Sequence, residues 1–441
     1  MEILDQKLGG WTDEDIARRV AEGGYRVLGL SYFSVASGRA ASIARLVRRL
    51  APATPIVIGG PHVNAFMEHS MSEPAFTYGI YGEGEKSFAA LIDQIIDGGG
   101  IEELPGLIWR RPDGVVVNEP APVTENLDEL PWMAWDKLYL RPYWRREGFN
   151  LMGRRPYLPM FSSRGCPFAC SYCHHIFGKK YRARSPENVV AEMTELARRY
   201  GVREFEFIDD TFNLQEDRAR EIFARLRREL PGVRILFPNG LRTDIMTPEF
   251  IDDMAATGVY YASFAFESGS PRIQEVCGKR LKLEAAQENL KRCAEKGLYL
   301  NGYFMLGFPT ETHEEMEQTI SFAVNSALHT AAFFCVMPNK GTPLYKSLDE
   351  KLRALADGLA EHMYYDSPFI NLSAVSDAEL ALMQREALRR FYMAPGRLWR
   401  MFRDHPRPHH FAYAFLDRVA MKMWFQLRRL GGARRHLSIR E

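Results

Sequence analysis

Short apolar runs alternate with longer helix-like segments between residues 25 and 125. The apolar runs are Val27–Leu30, Pro55–Ile58 and Tyr78–Tyr81, and the helix-like segments are Ala40–Leu50 and Phe88–Ile96. Strands that alternate with crossover helices form a parallel sheet. We therefore expect a Rossmann-like α/β domain over residues 1–125, with its ligand at the carboxyl ends of the strands, where open α/β sheets bind ligands.

A second alternating series runs from residue 157 to residue 343. Its predicted helices include Pro186–Tyr200, Asp217–Glu229 and Leu283–Lys296. Its predicted strands are Tyr157–Ser162, Glu204–Ile208, Arg234–Phe237, Tyr261–Phe266, Tyr299–Leu306 and Ala331–Met337. Six successive βα units predict a parallel sheet that curves like part of a barrel, with reactive loops at the carboxyl ends of its strands.

The segment between the two series, residues 126–156, has no clean period and contains Trp132, Trp135 and Trp144. Such a pattern predicts an irregular linker packed by aromatic side chains.

The last segment, residues 344–441, is predicted to be helical and basic. Its arginines are interleaved with aromatic residues, the set being Arg389, Arg390, Phe391, Arg397, Trp399, Arg400, Phe402, Arg403, Phe411, Phe415, Trp424, Phe425, Arg428, Arg429, Arg434 and Arg435. Two interpretations stay open: helices that pack on the barrel with solvated arginine faces, or a peripheral contact with lipid or a membrane surface.

Charge and composition narrow the function classes. Lysine plus arginine number 57 against 56 aspartate plus glutamate, which leaves a formal charge of +1 and does not favour a nucleic acid partner. Hydrophobic residues make up 46% and charged residues 26% of the chain, as in ordinary globular proteins. Neither a signal peptide nor an apolar run of about 18 residues is visible, so we expect a cytoplasmic protein.

Three of the six cysteines lie within eight residues, at Cys166, Cys170 and Cys173. In a reducing compartment such clustering indicates metal ligation rather than a disulfide framework. Cys277 and Cys293 are expected to pack as small apolar groups. Cys335, on the last predicted strand, is expected to pack in the same way or to face the cavity.

The stretch from residue 161 to residue 173 has the sequence FSSRGCPFACSYC and follows a predicted strand. Gly165 and Pro167 keep it out of a regular helix, so its three thiols can turn inward from one loop. A four-iron cluster usually takes four thiolates, and three would leave one iron open to a substrate. The competing interpretations are a zinc site with His174 or His175 as fourth ligand, and three unrelated core cysteines.

This spacing, with Tyr172 before the last cysteine and the motif on the first loop of a βα series, resembles the radical SAM superfamily. The resemblance implies a partial (β/α)6 barrel in which Cys166, Cys170 and Cys173 hold a [4Fe-4S] cluster. S-adenosyl-L-methionine (SAM) would chelate the free iron, and Tyr172 would meet its adenine. Reductive cleavage of SAM, with electrons from a flavodoxin- or ferredoxin-type partner, would give a 5′-deoxyadenosyl radical that abstracts a substrate hydrogen.

Polar residues at four later strand ends fit the same family. By this resemblance SAM would be bound by Asp209, Asp210, Asn239, Arg242, Glu267, Ser268, Gly307 and Pro309. These residue types suit the ligand, because a carboxylate accepts hydrogen bonds from ribose hydroxyls or an ammonium and an arginine binds a carboxylate.

The amino-terminal series resembles the latter part of the cobalamin-binding domain that is fused to many radical SAM proteins. The similarity rests on Ser31, on Gly59 and Gly60, and on the sequence YGEGE at residues 81–85. It implies that Gly59 and Gly60 pass beneath the tail of cobalamin, where a Cβ would strike it. In that domain a first strand and a DxHxxG loop precede the Ser31 position by some forty residues, so we expect a shortened or incomplete domain here. His62 is expected near the corrin or at the surface.

The expected function is therefore methyl transfer, through cobalamin, to a carbon centre of a small-molecule or lipid-like substrate. The alternative within enzymes is a non-methylating member, such as the oxidative cyclase of bacteriochlorophyll synthesis, a rearrangement enzyme or a lipid-modifying enzyme. A non-catalytic cobalamin or redox sensor is a further alternative. A sensor would need no intact SAM site, so Arg242, Glu267 and the loop of residues 307–312 count against it.

Overall fold

A computed structural model describes residues 1–145, 152, 155–174, 176–359 and 370–409. The amino-terminal domain is built on a five-stranded sheet in which the strands lie in chain order. Its strands are β1 (Leu28–Ser31), β2 (Ile56–Gly59), β3 (Tyr78–Ile80), β4 (Leu107–Arg111) and β5 (Gly114–Val117). The first three strands are parallel, as predicted, and β4 and β5 add an antiparallel hairpin that the sequence pattern did not predict.

Five helices accompany this sheet. They are α1 (Gln6–Gly9), α2 (Asp13–Glu22), α3 (Ser37–Leu50), α4 (Pro61–Phe66) and α5 (Gly84–Asp97). The predicted helices correspond to α3 and α5. The core between α2, α3 and the sheet contains Ile16, Ile43, Val47, Ile56 and Ile58, all buried. A short helix, α6 (Arg141–Trp144), lies in the described part of the linker.

The second domain is a six-stranded, fully parallel sheet that confirms the predicted βα series. Its strands are β6 (Leu158–Met160), β9 (Glu204–Phe207), β10 (Arg234–Leu241), β11 (Val259–Glu267), β12 (Tyr299–Leu306) and β13 (Thr330–Cys335), adjacent in that order. Between β6 and β9, the strands β7 (Ser163–Arg164) and β8 (Arg182–Ala183) form a short antiparallel ribbon. That ribbon flanks the cysteine motif.

The crossover helices cover one face of the sheet. They are α7 (Pro186–Tyr200), α8 (Glu216–Glu229), α9 (Pro248–Thr257), α10 (Pro271–Val276), α11 (Leu283–Glu295) and α12 (His313–Val324). Alternate residues of β12, namely Leu300, Phe304 and Leu306, join the buried core that includes Met316 and Ile320 of α12. The intervening residues of β12 therefore face the concave side of the partial barrel.

The carboxyl-terminal region is helical where it is described, as predicted. Its helices are α13 (Pro343–Lys346), α14 (Glu350–Leu359), α15 (Asp377–Met393) and α16 (Arg397–Arg403). Leu380, Met383 and Phe391 of α15 are buried in the barrel core, which confirms packing on the barrel for this helix. Of the basic and aromatic set, Phe411, Phe415, Trp424, Phe425, Arg428, Arg429, Arg434 and Arg435 lie outside the described residues. Within the described ranges, no helix has the length and apolar character needed to span a membrane.

The carboxyl end of α12 is held by the buried guanidinium of Arg397, whose residue is 1% exposed. Arg397 donates to the carbonyl oxygens of Val324 at 2.5 Å and Ser326 at 3.2 Å, and also to that of Leu328. A cation here satisfies carbonyl groups that have no partner inside the helix.

The substitution Arg397→Met is expected to destabilise the protein by about 3 kcal/mol, because it leaves several buried carbonyl groups unpaired. Urea unfolding followed by circular dichroism measures this loss. The matched control is Arg389→Met, since Arg389 is exposed and pairs with Glu386 of its own helix. Equal stability of the two variants would show that the buried guanidinium contributes nothing specific.

His329 closes the amino-terminal end of the barrel in its neutral form. Its Nδ1 accepts a hydrogen bond of 2.9 Å from the Leu300 amide, its ring stacks on Tyr299 at 4.5 Å, and its Nε2 lies 3.3 Å from Asp404. Burial lowers the pKa of His329 to about 4, although Asp404 opposes this shift. The neutral ring is therefore built into the fold.

Since a histidine in the unfolded chain takes up its proton near pH 6.5, we expect stability to fall as the pH drops from about 6.5 towards 4. For His329 alone the loss between pH 7 and pH 5 is about 2 kcal/mol. Comparing urea unfolding at the two pH values for the wild type and His329→Phe tests this. A variant with the same pH dependence as the wild type would contradict it.

Candidate functional site

The cysteine loop, residues 165–181, joins β7 to β8 at the carboxyl end of the first barrel strand. Gly165 has a φ of +84°, and a Cβ on it would lie 2.2 Å from the Lys180 carbonyl oxygen. Only glycine allows the two ends of the loop to meet this closely. The Cys166 amide then donates to the Gly178 carbonyl at 3.2 Å, which closes the loop.

The loop presents three free thiols, of which Cys166 and Cys170 are half-buried and Cys173 is exposed. Burial raises the pKa of Cys170, while the Lys279 ammonium and a hydrogen bond from the Tyr172 hydroxyl act against that rise. Within residues 1–145, 152, 155–174, 176–359 and 370–409, no three His, Cys, Asp or Glu side chains lie close enough to share a single metal ion. Three thiols on one irregular loop fit an iron–sulfur cluster, in which each thiolate binds its own iron.

Three other elements support the cysteine loop. The Ser171 amide donates to the Cys277 carbonyl after α10 at 2.8 Å, and the Leu344 amide of α13 donates to the Ser171 carbonyl at 2.8 Å. The Tyr172 ring meets Phe308 edge to face at 5.7 Å. The structure therefore brings Tyr172 to the loop after β12, as the family resemblance implies for an adenine contact.

The two acids after β9 have different surroundings. Asp209 is fully buried and accepts hydrogen bonds from the Ser162 amide at 2.7 Å and from the Ser163 hydroxyl at 2.7 Å. Asp210 is exposed at the barrel mouth and accepts from the Gly165 amide at 3.2 Å. Asp209 thus fixes the strand that leads into the cysteine loop, and of the two acids Asp210 is the accessible one.

Arg242 also supports the cysteine loop in this structure. Its guanidinium pairs with Asp244 at 2.9 Å and lies 3.9 Å above the ring of Phe168, between Cys166 and Cys170. Asn239, near the carboxyl end of β10, is exposed and donates to the Ile208 carbonyl at 2.8 Å.

The end of β11 holds a buried ion pair between Glu267 and Lys279, of which the sequence pattern indicated only Glu267. Glu267 lies 3.0 Å from the ammonium of Lys279, and the two side chains are 9% and 10% exposed. Glu267 has a φ of +65°, a strained conformation for a residue with a Cβ. Ser268 is buried, and its hydroxyl lies 3.0 Å from that of Thr319. No motif marked Lys279, because only the turn after α10 carries it to Glu267 and Cys170.

The loop after β12 folds around a buried carboxylate. Both the Gly307 amide, at 2.6 Å, and the Phe308 amide, at 3.0 Å, donate to Glu311. Burial raises the pKa of Glu311 to about 7, and these two amides oppose the rise. The loop presents the half-buried Pro309 and is tied to the carboxyl-terminal region by a 3.0 Å hydrogen bond from the Thr310 amide to the Leu372 carbonyl.

In the amino-terminal domain, the structure brings Ser31, Gly59 and Gly60 together at the carboxyl ends of β1 and β2, where Ser31 pairs with Gly59. Gly60 has a φ of +91°, and a Cβ on it would lie 2.9 Å from the Ser31 hydroxyl. A Cβ on Gly59 would make only an ordinary contact of 3.7 Å with the Ile80 carbonyl oxygen. The chain's own turn therefore already requires a glycine at position 60, whereas the chain itself leaves room for a Cβ at position 59.

His62 is buried, so the surface alternative for this residue was wrong. Its ring stacks between Tyr32 at 5.2 Å and Phe66 at 4.5 Å, and its Nδ1 lies 3.1 Å from the Ser34 hydroxyl. On the loop after β1, by contrast, the apolar Phe33 is 67% exposed. An exposed apolar loop beside the expected ligand edge fits the flat apolar face of a corrin.

The two sheets are joined at their carboxyl ends. Glu83, just after β3, pairs with Arg164 at 3.0 Å and with Arg182, which flank the cysteine loop. The ammonium of Lys340, after β13, lies 4.6 Å above the ring of Phe66, at the end of α4. The carboxyl edges of the two sheets, where we expect the ligands, therefore face each other.

We expect Gly60→Ala to weaken binding of hydroxocobalamin by at least about tenfold, because Ser31 and Tyr32 must move to admit the methyl group. Equilibrium titration followed by visible absorption measures the affinity. Gly38→Ala is the matched control, since a Cβ at this helical glycine meets nothing within 4 Å. Unchanged affinity in the Gly60 variant would contradict the placement of the cofactor at this turn.

Comparison with known proteins agrees with both halves of this site. Residues 160–323 match the Radical SAM superfamily, and residues 4–92 match the B12 binding domain. An uncharacterized methyltransferase of Pyrococcus horikoshii is 30% identical over 430 residues, which cover 97% of this chain and 91% of that protein. The cytidylyl-2-hydroxyethylphosphonate methyltransferase of Streptomyces wedmorensis is 28% identical, over 84% of this chain and 75% of that enzyme.

Among solved structures, the radical SAM methyltransferase TsrM of Kitasatospora setae, with cobalamin and a [4Fe-4S] cluster bound, superposes with a TM-score of 0.64. That match covers 78% of this chain and 68% of TsrM at 20% identity, and it confirms the fold. The relative of Pyrococcus horikoshii, which spans nearly all of both chains, establishes the family. The chain is therefore an enzyme of the radical SAM superfamily that carries a B12 binding domain ahead of its radical SAM domain.

Proposed function

We propose that this enzyme transfers a methyl group to a carbon centre of a small molecule, using a [4Fe-4S] cluster, SAM and cobalamin. Residues 1–125 are the proposed cobalamin domain, and residues 157–343 are the proposed radical SAM core. The observation that carries the proposal is the meeting of the two sheets: Glu83 binds both arginines that flank the cysteine loop. A substrate held at the barrel mouth would lie between the two cofactor sites.

When bound, the cluster and SAM supply a carbon-centred radical that removes hydrogen, and the corrin supplies the methyl group. The chain's own residues hold and orient these groups. Cys166, Cys170 and Cys173 are the proposed cluster ligands. Glu267 can accept hydrogen bonds from the ammonium of SAM, and Lys279 can donate to its carboxylate. Both charges are already buried beside Cys170, so little reorganisation is needed on binding.

The proposed adenine site lies between Tyr172 and the loop after β12. The half-buried Tyr172 provides apolar surface there, the fully buried Phe308 supports its ring, and Glu311 holds the Gly307 and Phe308 amides in place. Asp210 and Asn239, both exposed at strand ends, are the accessible groups that suit ribose hydroxyls.

The concave side of the barrel favours a substrate with an apolar part. The Tyr303 hydroxyl reaches across the sheet to the Pro238 carbonyl on β10 at 3.0 Å, and the Tyr303 ring lies 6.2 Å from that of Phe334. These side chains form an aromatic wall below the barrel mouth. Such a wall holds a small organic molecule and excludes water from the radical.

Methyl transfer is tested with SAM whose methyl group carries three deuterium atoms. The reconstituted, cobalamin-loaded protein is incubated with this SAM, a strong reductant and a small-molecule extract, and the mixture is examined by mass spectrometry. We expect a product that has gained the labelled methyl group, with comparable amounts of 5′-deoxyadenosine and S-adenosylhomocysteine. Product with 5′-deoxyadenosine but without S-adenosylhomocysteine would overturn methyl transfer and favour the cyclase or rearrangement alternative.

A further inference from the structure

Glu83 lies between the two domains, in the sequence YGEGE after β3 and directly before α5. Its carboxylate is 6% exposed. One oxygen accepts from Arg164 at 3.0 Å and from Arg182 at 3.1 Å, and the other accepts from the second terminal nitrogen of Arg182. One buried carboxylate thus binds two guanidinium groups.

These two arginines frame the cysteine loop. Arg164 is two residues before Cys166, and its guanidinium lies 5.0 Å above the ring of Phe177. Arg182 begins β8 and donates to the Phe177 carbonyl at 3.1 Å and to the Thr124 carbonyl, just before the linker, at 2.7 Å. Glu83 therefore binds the residues on either side of the loop, Arg164 and Arg182, and through Arg182 it is linked to Phe177 inside the loop.

From this geometry we propose that Glu83 is a positioning residue that sets where the cluster lies relative to the corrin. The inference rests on the proposed function, because it takes both cofactors as bound. Glu83 follows the third strand of the sheet that is proposed to bind cobalamin, and its partners hold the loop that is proposed to bind the cluster. A shift of Glu83 would therefore move one cofactor site against the other.

The energetic consequence follows from burial and charge. The Arg182 side chain is 2% exposed and that of Arg164 is 16% exposed. A glutamine at position 83 keeps the shape of the side chain but removes the negative charge between two cations. The two guanidinium groups would then repel each other, with only the more exposed Glu85 left to pair with Arg164, and the loop would be free to take several positions.

Two other contacts provide matched controls. Glu85 also pairs with Arg164, at 2.5 Å, but its side chain is 40% exposed, and neither an ion pair nor a hydrogen bond joins it to Arg182. Lys340 joins the domains through Phe66, and no hydrogen bond or ion pair links it to the described residues of the cysteine loop. A general loosening of the contact between the domains would appear in Lys340→Met. The effect proposed for Glu83 requires its link to the cysteine loop, so Lys340→Met should not show it.

The test compares Glu83→Gln with Glu85→Gln and Lys340→Met, each reconstituted with iron and sulfide and loaded with hydroxocobalamin. Dithionite reduces the cluster and converts the diamagnetic Co(III) of hydroxocobalamin to paramagnetic Co(II), and electron paramagnetic resonance then measures the interaction between the two. We expect one defined interaction in the wild type and both controls, and a broad distribution in Glu83→Gln. The formation of 5′-deoxyadenosine should stay within about threefold of the wild type, because SAM cleavage needs the cluster alone. The ratio of S-adenosylhomocysteine to 5′-deoxyadenosine should fall by about tenfold, because it also needs the corrin in place.

Arg182→Gln removes the same contact from the other side and is used if Glu83→Gln folds poorly. It should show the same broadened interaction and the same loss in product ratio. The proposal is overturned if both variants keep the wild-type spin interaction and product ratio. It is also overturned if the cluster content and the spin interaction fall in equal proportion in both variants, since Glu83 would then only stabilise the fold. Failure of the proposed function gives a different result: the wild type itself would then lack one of the two cofactors or form no S-adenosylhomocysteine.

Discussion

Alanine at Cys166, Cys170 or Cys173 is expected to abolish both the iron–sulfur cluster and the cleavage of SAM. As proposed ligands, the three thiolates would each bind a separate iron of a cluster that has no fourth protein ligand, so no neighbouring thiol could take the place of a missing one. Iron and sulfide content, visible absorption and mass spectrometry of 5′-deoxyadenosine measure the two losses. We expect both to fall to background.

Cys293→Ala is the control for this experiment, because Cys293 is buried in α11 and belongs to the barrel core. This variant should retain the cluster and cleave SAM at the wild-type rate, with only a modest loss of stability. A triple alanine variant of the cysteine loop that still cleaves SAM would refute the assignment of all three ligands.

The second large effect is expected at the ion pair after β11. Lys279→Met should lower the rate of SAM cleavage by about 100-fold, which corresponds to a loss of about 3 kcal/mol, because it removes a buried cation from the proposed carboxylate site. Glu267→Gln should lower it to a similar extent through the loss of a charged acceptor for the ammonium. Equilibrium dialysis against SAM and the rate of 5′-deoxyadenosine formation measure binding and cleavage separately.

A surface ion pair serves as the control for these variants. Lys296 pairs with Asp252 at 2.8 Å, with both side chains about 40% exposed. Lys296→Met should change neither SAM binding nor cleavage, because exposed pairs contribute little. If Lys279→Met binds and cleaves SAM as the wild type does, the buried pair has only a structural role.

The barrel was predictable because its elements are long and periodic. The sequence pattern predicts Tyr299–Leu306 and Pro186–Tyr200, and β12 and α7 have these same bounds. Ser185 before Pro186 marks the start of α7, and its hydroxyl accepts from the Asn188 amide at 3.1 Å. The three clustered thiols were visible for a simpler reason, since local spacing alone brings them onto one loop.

Contacts between distant parts of the chain could not be predicted in the same way. Glu83 and Arg182 are 99 residues apart, and no periodic pattern relates them. Lys279 reaches Glu267 only because the turn after α10 folds back on the strand end. Asp209 was predicted to bind SAM from its place after a strand, but burial and two serine partners tie it to the chain itself. Strand ends can be located from sequence, whereas the direction of their side chains depends on packing.

The central claim is that one chain holds a cluster and a cobalamin at facing sites. It is tested most directly by mass spectrometry of the products that the reconstituted protein makes from SAM under strong reductant, with and without hydroxocobalamin. We predict 5′-deoxyadenosine in both samples and S-adenosylhomocysteine only in the sample with hydroxocobalamin. Absence of 5′-deoxyadenosine from a protein with its full complement of iron and sulfide, or equal S-adenosylhomocysteine in both samples, would contradict the claim.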